Sequence, residues 1–135
     1  MRKTVIIGLI LMVFIWAGAT AQSITIRDGN YNIKLRIDGD TIKDGNYNIV
    51  GRIDGNIIRD GNYNIVARID DDVIKDGDFN IIGRIDGTTI KDRNFNTVGR
   101  IDGNVIKNGN YNIVARIDGS PRRSQLISIL YIFVL

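Results

Sequence analysis

Arginine is the residue whose spacing in this chain points most directly to binding chemistry. It recurs every 16 residues, at Arg36, Arg52, Arg68, Arg84, Arg100 and Arg116. If the repeats close into a ring, six guanidinium groups form a circle on one face, and a guanidinium fork suits phosphate or carboxylate groups. The alternative is that each arginine pairs with the aspartate two residues later, as Arg52 would with Asp54, in a solvated row of ion pairs. The arginine series is therefore a candidate anion-binding ring.

The aspartates and asparagines of each repeat partly match a calcium-binding loop. Asp44, Asn46 and Asn48 occupy the first three ligand positions of such a loop. The sixth position is Ile49 rather than glycine and the twelfth is Gly55 rather than glutamate, which excludes an EF-hand. Asp and Asn are also the usual residues of tight turns. We therefore assign no metal site.

One aromatic residue occurs in every repeat, at Tyr31, Tyr47, Tyr63, Phe79, Phe95 and Tyr111. Such a series could form a surface that stacks against carbohydrate rings. Strand alternation, however, places Tyr47 on the same side as Ile49, Gly51 and Ile53. The sequence therefore predicts that the aromatic rings pack in the core.

The composition removes most enzyme chemistry. The 135 residues include no His, Cys or Glu, so the chain lacks a Ser–His or Cys–His nucleophile pair and the usual zinc ligands. The net charge of +3 falls to about +1 without Arg2 and Lys3, which is too small to indicate nucleic-acid binding. We expect a single-domain, non-enzymatic protein without a cofactor or a nucleic-acid partner.

The elements that position these residues come from a 16-residue repeat that runs six times without an insertion. It begins with Asp-Gly-Asn-Tyr at Asp28, Asp44 and Asp60, and with looser versions at Asp76, Asp92 and Asn108. A fixed period of this kind indicates one supersecondary unit that is stacked or arranged in a ring. In residues 41–56, a short and a longer β-run are each followed by Asp-Gly, a tight-turn signal. Each unit is therefore predicted to be two strands with two turns.

Small residues in the middle of the longer strand indicate how the units are arranged. This position holds Gly51, Ala67, Gly83, Gly99 and Ala115, which suggests a ring of small residues around a crowded axis. Asp-Gly turns and a short repeat count favour a closed ring, because closure removes sheet edges. The predicted fold is all-β: a short antiparallel β-barrel or flower of six 16-residue two-strand repeats. A parallel β-solenoid is the alternative.

The pattern I-x-D-G-N-Y-N-I-V-G-R-I-D-G, before an apolar C-terminus, resembles the 5-fold β-flower proteins. The resemblance covers residues 24–119 and rests on repeat length and pattern. It implies a shallow, pseudosymmetric β-barrel in an exported bacterial protein of unestablished biochemical function, and it carries over no site residue. This chain has six copies rather than five, so either the first copy only completes the last or the ring is larger.

The N-terminal segment differs from the repeat and is typical of a secretory signal peptide. Residues 1–21 contain a basic start at Arg2 and Lys3, an apolar run over 5–16 and a small-residue cleavage site ending at Ala21. A retained membrane helix is the alternative. Residues 22–119 then form the β-repeat domain.

The C-terminal segment, residues 120–135, is an apolar tail that follows Arg122 and Arg123. Three positions for it compete. It fills the space left by the small residues, it dips into membrane lipid with the two arginines at the headgroups, or it associates with other copies of the chain.

Together these features predict an exported, non-enzymatic β-repeat protein that is a structural or binding module at the cell envelope. Its location would be periplasmic, outer-membrane-associated or secreted. The alternative is a self-assembling surface or matrix protein, because repeated Asn- and Gly-rich β-units can template one another.

Overall fold

The computed structural model describes residues 23–135, where twelve strands form a closed antiparallel barrel that is followed by one helix. The strands are β1 Ser23–Arg27, β2 Ile33–Asp38, β3 Thr41–Asp44, β4 Ile49–Asp54, β5 Ile57–Asp60, β6 Ile65–Asp70, β7 Val73–Lys75, β8 Ile81–Asp86, β9 Thr89–Lys91, β10 Thr97–Asp102, β11 Val105–Asn108 and β12 Ile113–Asp118. The predicted all-β antiparallel barrel is confirmed, and the parallel solenoid is wrong. The predicted signal peptide, residues 1–21, lies outside the described residues.

Six complete units close the ring. Each repeat contributes one short and one long strand, and each strand pairs with its neighbours in the sequence. Strand β1 also pairs with β12, with Ile26 opposite Ile117. The first copy is therefore a full unit, and the ring is larger than five units.

The turns between units require an unusual backbone conformation at their first central residue. Asp38 lies opposite Thr41 across the turn from β2 to β3, and Gly39 between them has a φ of +58°. A positive φ at this position is typical of type II′ hairpin turns, in which glycine is preferred. Asp71 takes the equivalent place between β6 and β7 with a φ of +52°. The Asp-Gly dipeptides between units therefore have a local structural explanation, whereas Gly45 and its equivalents within the units do not have a positive φ.

A β-bulge in the hairpin of each unit changes which side chains face the core. In the second unit Ile42 lies opposite Gly51, whereas Lys43 lies opposite Ile49, so Val50 has no partner. Because a bulge interrupts strict alternation, the residues before it and after it do not assign to the faces of the sheet by one continuous count of alternate positions. Gly51 and Ile53 are buried as expected, but Ile49 is 43% exposed. The predicted single inward face is therefore wrong before the bulge.

The barrel interior is filled by the C-terminal helix, α1, Arg123–Phe133. Ile127, Ile129 and Leu130 on this helix are completely buried together with the inward isoleucines of the strands. After the helix, the side chains of Val134 and Leu135 reach the small-residue positions. A Cβ added to Gly99 would lie 2.7 Å from Val134 Cγ1, and one added to Gly83 would lie 2.8 Å from Leu135 Cδ1. Of the three predicted positions of the tail, the structure has the one inside the barrel.

Polar contacts fasten the start of the helix to the turns between units. Arg122 donates to Asp40 Oδ1 at 2.7 Å, and Arg123 donates to Asp72 Oδ1 at 3.0 Å. The amide of the buried Gln125 donates to the carbonyl oxygen of Gly39 at 2.9 Å. These contacts satisfy polar groups at the mouth of an apolar core. Among residues 23–135, no helix is long and apolar enough to cross a membrane.

Candidate functional site

A three-residue loop within each unit positions the candidate functional residues. In the second unit the N–H of Asp44 donates to the carbonyl of Asn48 at 2.9 Å, and the N–H of Tyr47 donates to the carbonyl of Asp44 at 3.1 Å. Tyr47 ends this turn with a φ of +68°. Such a loop is a type I turn followed by one left-handed residue, a position usually given to glycine. In this chain the left-handed residue is aromatic in all six units.

The first aspartate of each loop holds the turn together with its carboxylate. Asp44 Oδ1 accepts hydrogen bonds from the N–H groups of Asn46 at 2.8 Å and Asn48 at 3.0 Å, and Oδ2 accepts one from Asn48 Nδ2 at 3.2 Å. These bonds, the one from the Asn48 backbone foremost, hold the pKa of Asp44 below its ordinary value. Asn108 makes the same two Oδ1 contacts without a charge. Both carboxylate oxygens of Asp44, the first of the apparent calcium ligands, therefore accept hydrogen bonds from the turn itself.

The aromatic side chains of these loops point outward. They are 61–65% exposed: Tyr31, Tyr47, Tyr63, Phe79, Phe95 and Tyr111. The prediction that they pack in the core is wrong. The left-handed backbone of the aromatic residue and the adjacent β-bulge redirect its side chain. Because of them, counting alternate residues back from the buried Gly51 assigns the aromatic residue to the wrong face of the sheet.

Each aromatic ring lies against the arginine of the preceding unit. The guanidinium carbon of Arg36 lies 4.1 Å from the centroid of the Tyr47 ring, and across the barrel closure Arg116 lies 4.1 Å from Tyr31. All six distances fall between 3.9 and 4.1 Å. Arg36 also donates to the carbonyl oxygen of Gly45 at 2.7 Å. The stacking and the hydrogen bond fix the arginine in place.

The arginines do not pair with the aspartates two residues later, as the alternative interpretation required. Asp54 forms its ion pair with Arg59 of the next strand at 3.7 Å, and Asp70 pairs with Lys75 at 3.1 Å. The two-residue turn between them brings these residues, five apart in sequence, onto neighbouring strands. Because each candidate arginine contacts the next unit, the six form separate, equivalent sites around the barrel. Anion binding by this ring of arginines stays a prediction.

A small groove recurs beside these pairs. The groove at Arg68 and Phe79 has a volume of about 260 Å³ and is also lined by Asn56 and the Asp70–Lys75 ion pair. Equivalent residues 16 positions later enclose about 190 Å³, and those 16 positions earlier enclose about 320 Å³. The repeat therefore produces the same combination in successive units: an arginine backing an aromatic ring, a charge pair and a polar turn residue.

The metal-ligating residues of the chain do not assemble in the barrel. In residues 23–135, no group of three or more carboxylates is placed to hold a metal ion. Asp40 and Asp72, in turns between units, instead form ion pairs with Arg122 and Arg123 at the start of the helix. These carboxylates have a structural explanation.

Comparison with known proteins gives one match. The family model described as 5-fold beta-flower protein matches residues 17–94, more than half of the chain. The sixth repeat and the helix lie beyond the matched residues. No curated protein and no solved structure matches the chain.

Proposed function

Since this chain belongs to the 5-fold β-flower family, we propose that it is an exported, non-enzymatic binding module that acts at the cell envelope. The observation that carries the proposal is the set of six exposed aromatic rings on the outside of a filled barrel, each backed by a half-buried arginine. The chain's own helix occupies the interior, and six equivalent loops display an arginine-backed aromatic ring on the exterior. Repetition of one small site on a rigid scaffold suits binding to an extended or repetitive partner.

The available side chains support a non-catalytic role. The sequence has no His or Cys, so it lacks the usual groups that exchange protons near neutral pH. The loop aspartates, such as Asp28 and Asp60, have pKa values held below the ordinary one by hydrogen bonds to the turn. A carboxylate with a lowered pKa is a weak base, and both of its oxygens accept hydrogen bonds from the turn. We therefore propose that the protein binds a partner and does not catalyse a reaction.

Export is tested by locating the native chain and sequencing its N-terminus. Cells that express the full chain are fractionated, and the protein is detected with an antibody against the folded barrel, which leaves the buried C-terminus untagged. We expect a chain that begins at Gln22 and is found outside the cytoplasm. A control with Ala19 and Ala21 changed to Arg should accumulate unprocessed protein, because the cleavage site needs small residues. Full-length, unprocessed wild-type chain in the cytoplasm would contradict export.

Envelope binding is tested with the purified chain from Gln22 to Leu135. The protein is mixed with isolated cell envelopes and sedimented, and bovine serum albumin serves as the control. We expect saturable co-sedimentation of the folded protein with the envelopes. Recovery of all the protein in the supernatant, at every envelope concentration, would refute a role as an envelope-binding module.

Self-assembly and lipid binding through the tail stay predictions. In residues 23–135 each strand has a partner on both sides, so the sheet offers no free edge for templating by another copy. Membrane contact through the tail would require the buried face of α1 to leave the barrel. Light scattering across a range of protein concentrations tests assembly, and a single monomer mass at every concentration would oppose it.

A further inference from the structure

The left-handed aromatic residue is not explained by the needs of the loop. Glycine fits this backbone without strain and asparagine tolerates it, whereas a bulky side chain at φ of +66° to +68° is unfavourable. The stacking joins an exposed ring to a half-buried arginine, and its contribution is of the same order as that strain. An aromatic ring in all six loops therefore calls for a reason other than stability.

The feature shared by the six sites is the ring rather than the phenol hydroxyl. Phe79 and Phe95 replace tyrosine in two units, and they stack on arginine at 4.0 and 4.1 Å, as the tyrosines do at 3.9–4.1 Å. Neighbouring loop positions vary more widely, since Arg93 replaces a glycine and Asp78 replaces an asparagine. A ligand for these sites therefore contacts an aromatic face.

One face of each ring is available to such a ligand. The arginine covers one face, and the side chain remains more than 60% exposed. Beside the ring, the groove offers both hydrogen-bond donors and acceptors. At Tyr63 these are Arg52, the Arg59–Asp54 ion pair and Asp40, whose carboxylate also accepts a hydrogen bond from Arg122. In each of the three grooves one cation is paired with a carboxylate, and the arginine behind the ring donates to a backbone carbonyl. These grooves therefore suit a neutral, hydroxyl-rich group, which both donates and accepts hydrogen bonds, better than an anion.

We infer that the arginine–aromatic grooves bind neutral saccharide units, each sugar stacking its C–H face on the open side of an aromatic ring. A pyranose presents an apolar C–H face and a rim of hydroxyl groups, and the groove presents an aromatic face and a rim of charged donors and acceptors. The open groove volumes of about 190–320 Å³ suit one sugar ring rather than a large enclosed ligand. This inference rests on the proposed binding function and names its ligand class.

Six equivalent sites on one rigid barrel predict that binding depends on polymer length. A single shallow site gives weak affinity, whereas several sites engaged by one polysaccharide or by a glycan-covered surface add through effective concentration. We therefore expect a polysaccharide to bind at least roughly a hundredfold more tightly than its monosaccharide.

The experiment uses purified protein from Gln22 to Leu135 and a printed array. The array holds neutral polysaccharides (dextran, laminarin, mannan and chitin oligomers), anionic polysaccharides (alginate and heparin) and single-stranded DNA. Two variants are compared with the wild type. In one, all six aromatic residues become asparagine, which tolerates the left-handed backbone. In the matched control, Tyr31, Tyr47, Tyr63 and Tyr111 become phenylalanine. Thermal melting shows whether each variant is folded. If the variant with six asparagines is unfolded, a variant in which only Tyr47, Phe79 and Tyr111 are changed to Asn is used in its place.

The expected result is retention on at least one neutral polysaccharide, reduced at least roughly tenfold in the asparagine variant and preserved in the phenylalanine variant. Retention should change little when salt is raised from about 0.05 to 0.5 M, because the contacts are not mainly between net charges. Three results would overturn the inference: no retention on any neutral polysaccharide, retention only on alginate, heparin or DNA with a steep salt dependence, or full retention by a folded asparagine variant.

The envelope co-sedimentation experiment separates failure of this inference from failure of the proposed function. Protein that sediments with envelopes but binds no neutral saccharide is still a binding module, and the saccharide assignment is wrong. Protein that does neither refutes both.

Discussion

Replacement of Tyr47 by glycine and by alanine tests whether the exposed aromatic residue stabilises the barrel. Tyr47 has a φ of +68°, and its ring lies 4.1 Å from Arg36. A left-handed backbone costs a residue with a Cβ about 1–2 kcal/mol, and the exposed cation–π contact contributes about 0.5–1 kcal/mol. Glycine removes both and adds about 0.5–1 kcal/mol of unfolded-state entropy. The net change in the free energy of unfolding should therefore lie within about 1 kcal/mol of zero.

Alanine at the same position separates the two contributions. It retains the strain and loses the stacking, so it should destabilise the protein by about 0.5–1 kcal/mol. The control is Tyr47→Phe, which should match the wild type because Phe95 already stacks on Arg84 at 4.1 Å. Urea denaturation followed by far-ultraviolet circular dichroism measures all three variants. A loss of more than about 2 kcal/mol in the glycine variant would show that the ring is a structural requirement, and the reasoning from strain to binding would be refuted.

Three further predictions concern the core and the loops. Leu130→Ala should lower the free energy of unfolding by about 2–5 kcal/mol, whereas Ile132→Ala, on the 43%-exposed side of the same helix, should change it by less than about 0.5 kcal/mol in urea denaturation. Gly99→Ala should destabilise by about 1–3 kcal/mol because its Cβ would meet Val134 at 2.7 Å, and a double-mutant cycle should show that Val134→Ala relieves the loss. The pKa of Asp44 is lowered on folding, so its contribution to stability is present above the ordinary value of 3.8 and is lost as the pH falls through the folded value. Asp44→Asn keeps the Oδ1 acceptor and should therefore flatten the fall in melting temperature on acidification, and an unchanged pH profile would contradict this linkage.

The architecture could be predicted from the sequence because each repeat contains recognisable turn residues. Asp-Gly between units provides the positive φ of Gly39, and the 16-residue period with six copies predicts a ring. The sequence could not decide how many units close the ring, because closure depends on the pairing of β1 with β12. That pairing joins segments about ninety residues apart, and neither segment contains a sequence feature that identifies the other as its partner.

The candidate site was predicted only in part because alternation fails at bulges. The arginine series was found, but its aromatic partners were placed in the core. Arg36 and Tyr47 are eleven residues apart in the sequence. Their contact depends on the β-bulge at Val50 and on the left-handed backbone of Tyr47, and strict alternation accounts for neither. A usable signal was present: Asp-Gly-Asn-Tyr-Asn fits a three-residue hairpin loop whose last loop residue is left-handed.

The C-terminal helix fills the core of the barrel, which leaves the outer surface for recognition. A comparison of the chain from Gln22 to Leu135 with one ending at Ser124 tests this role of the helix, through thermal melting and flotation with phosphatidylcholine–phosphatidylglycerol vesicles. Truncation removes Ile127, Ile129 and Leu130, all completely buried, and each contributes about 1.5–3 kcal/mol of burial energy. Their sum approaches the total stability of an ordinary domain. We expect the truncated form to lose its cooperative melt and the intact form not to float. An unchanged melting temperature, with flotation of the intact form alone, would contradict it.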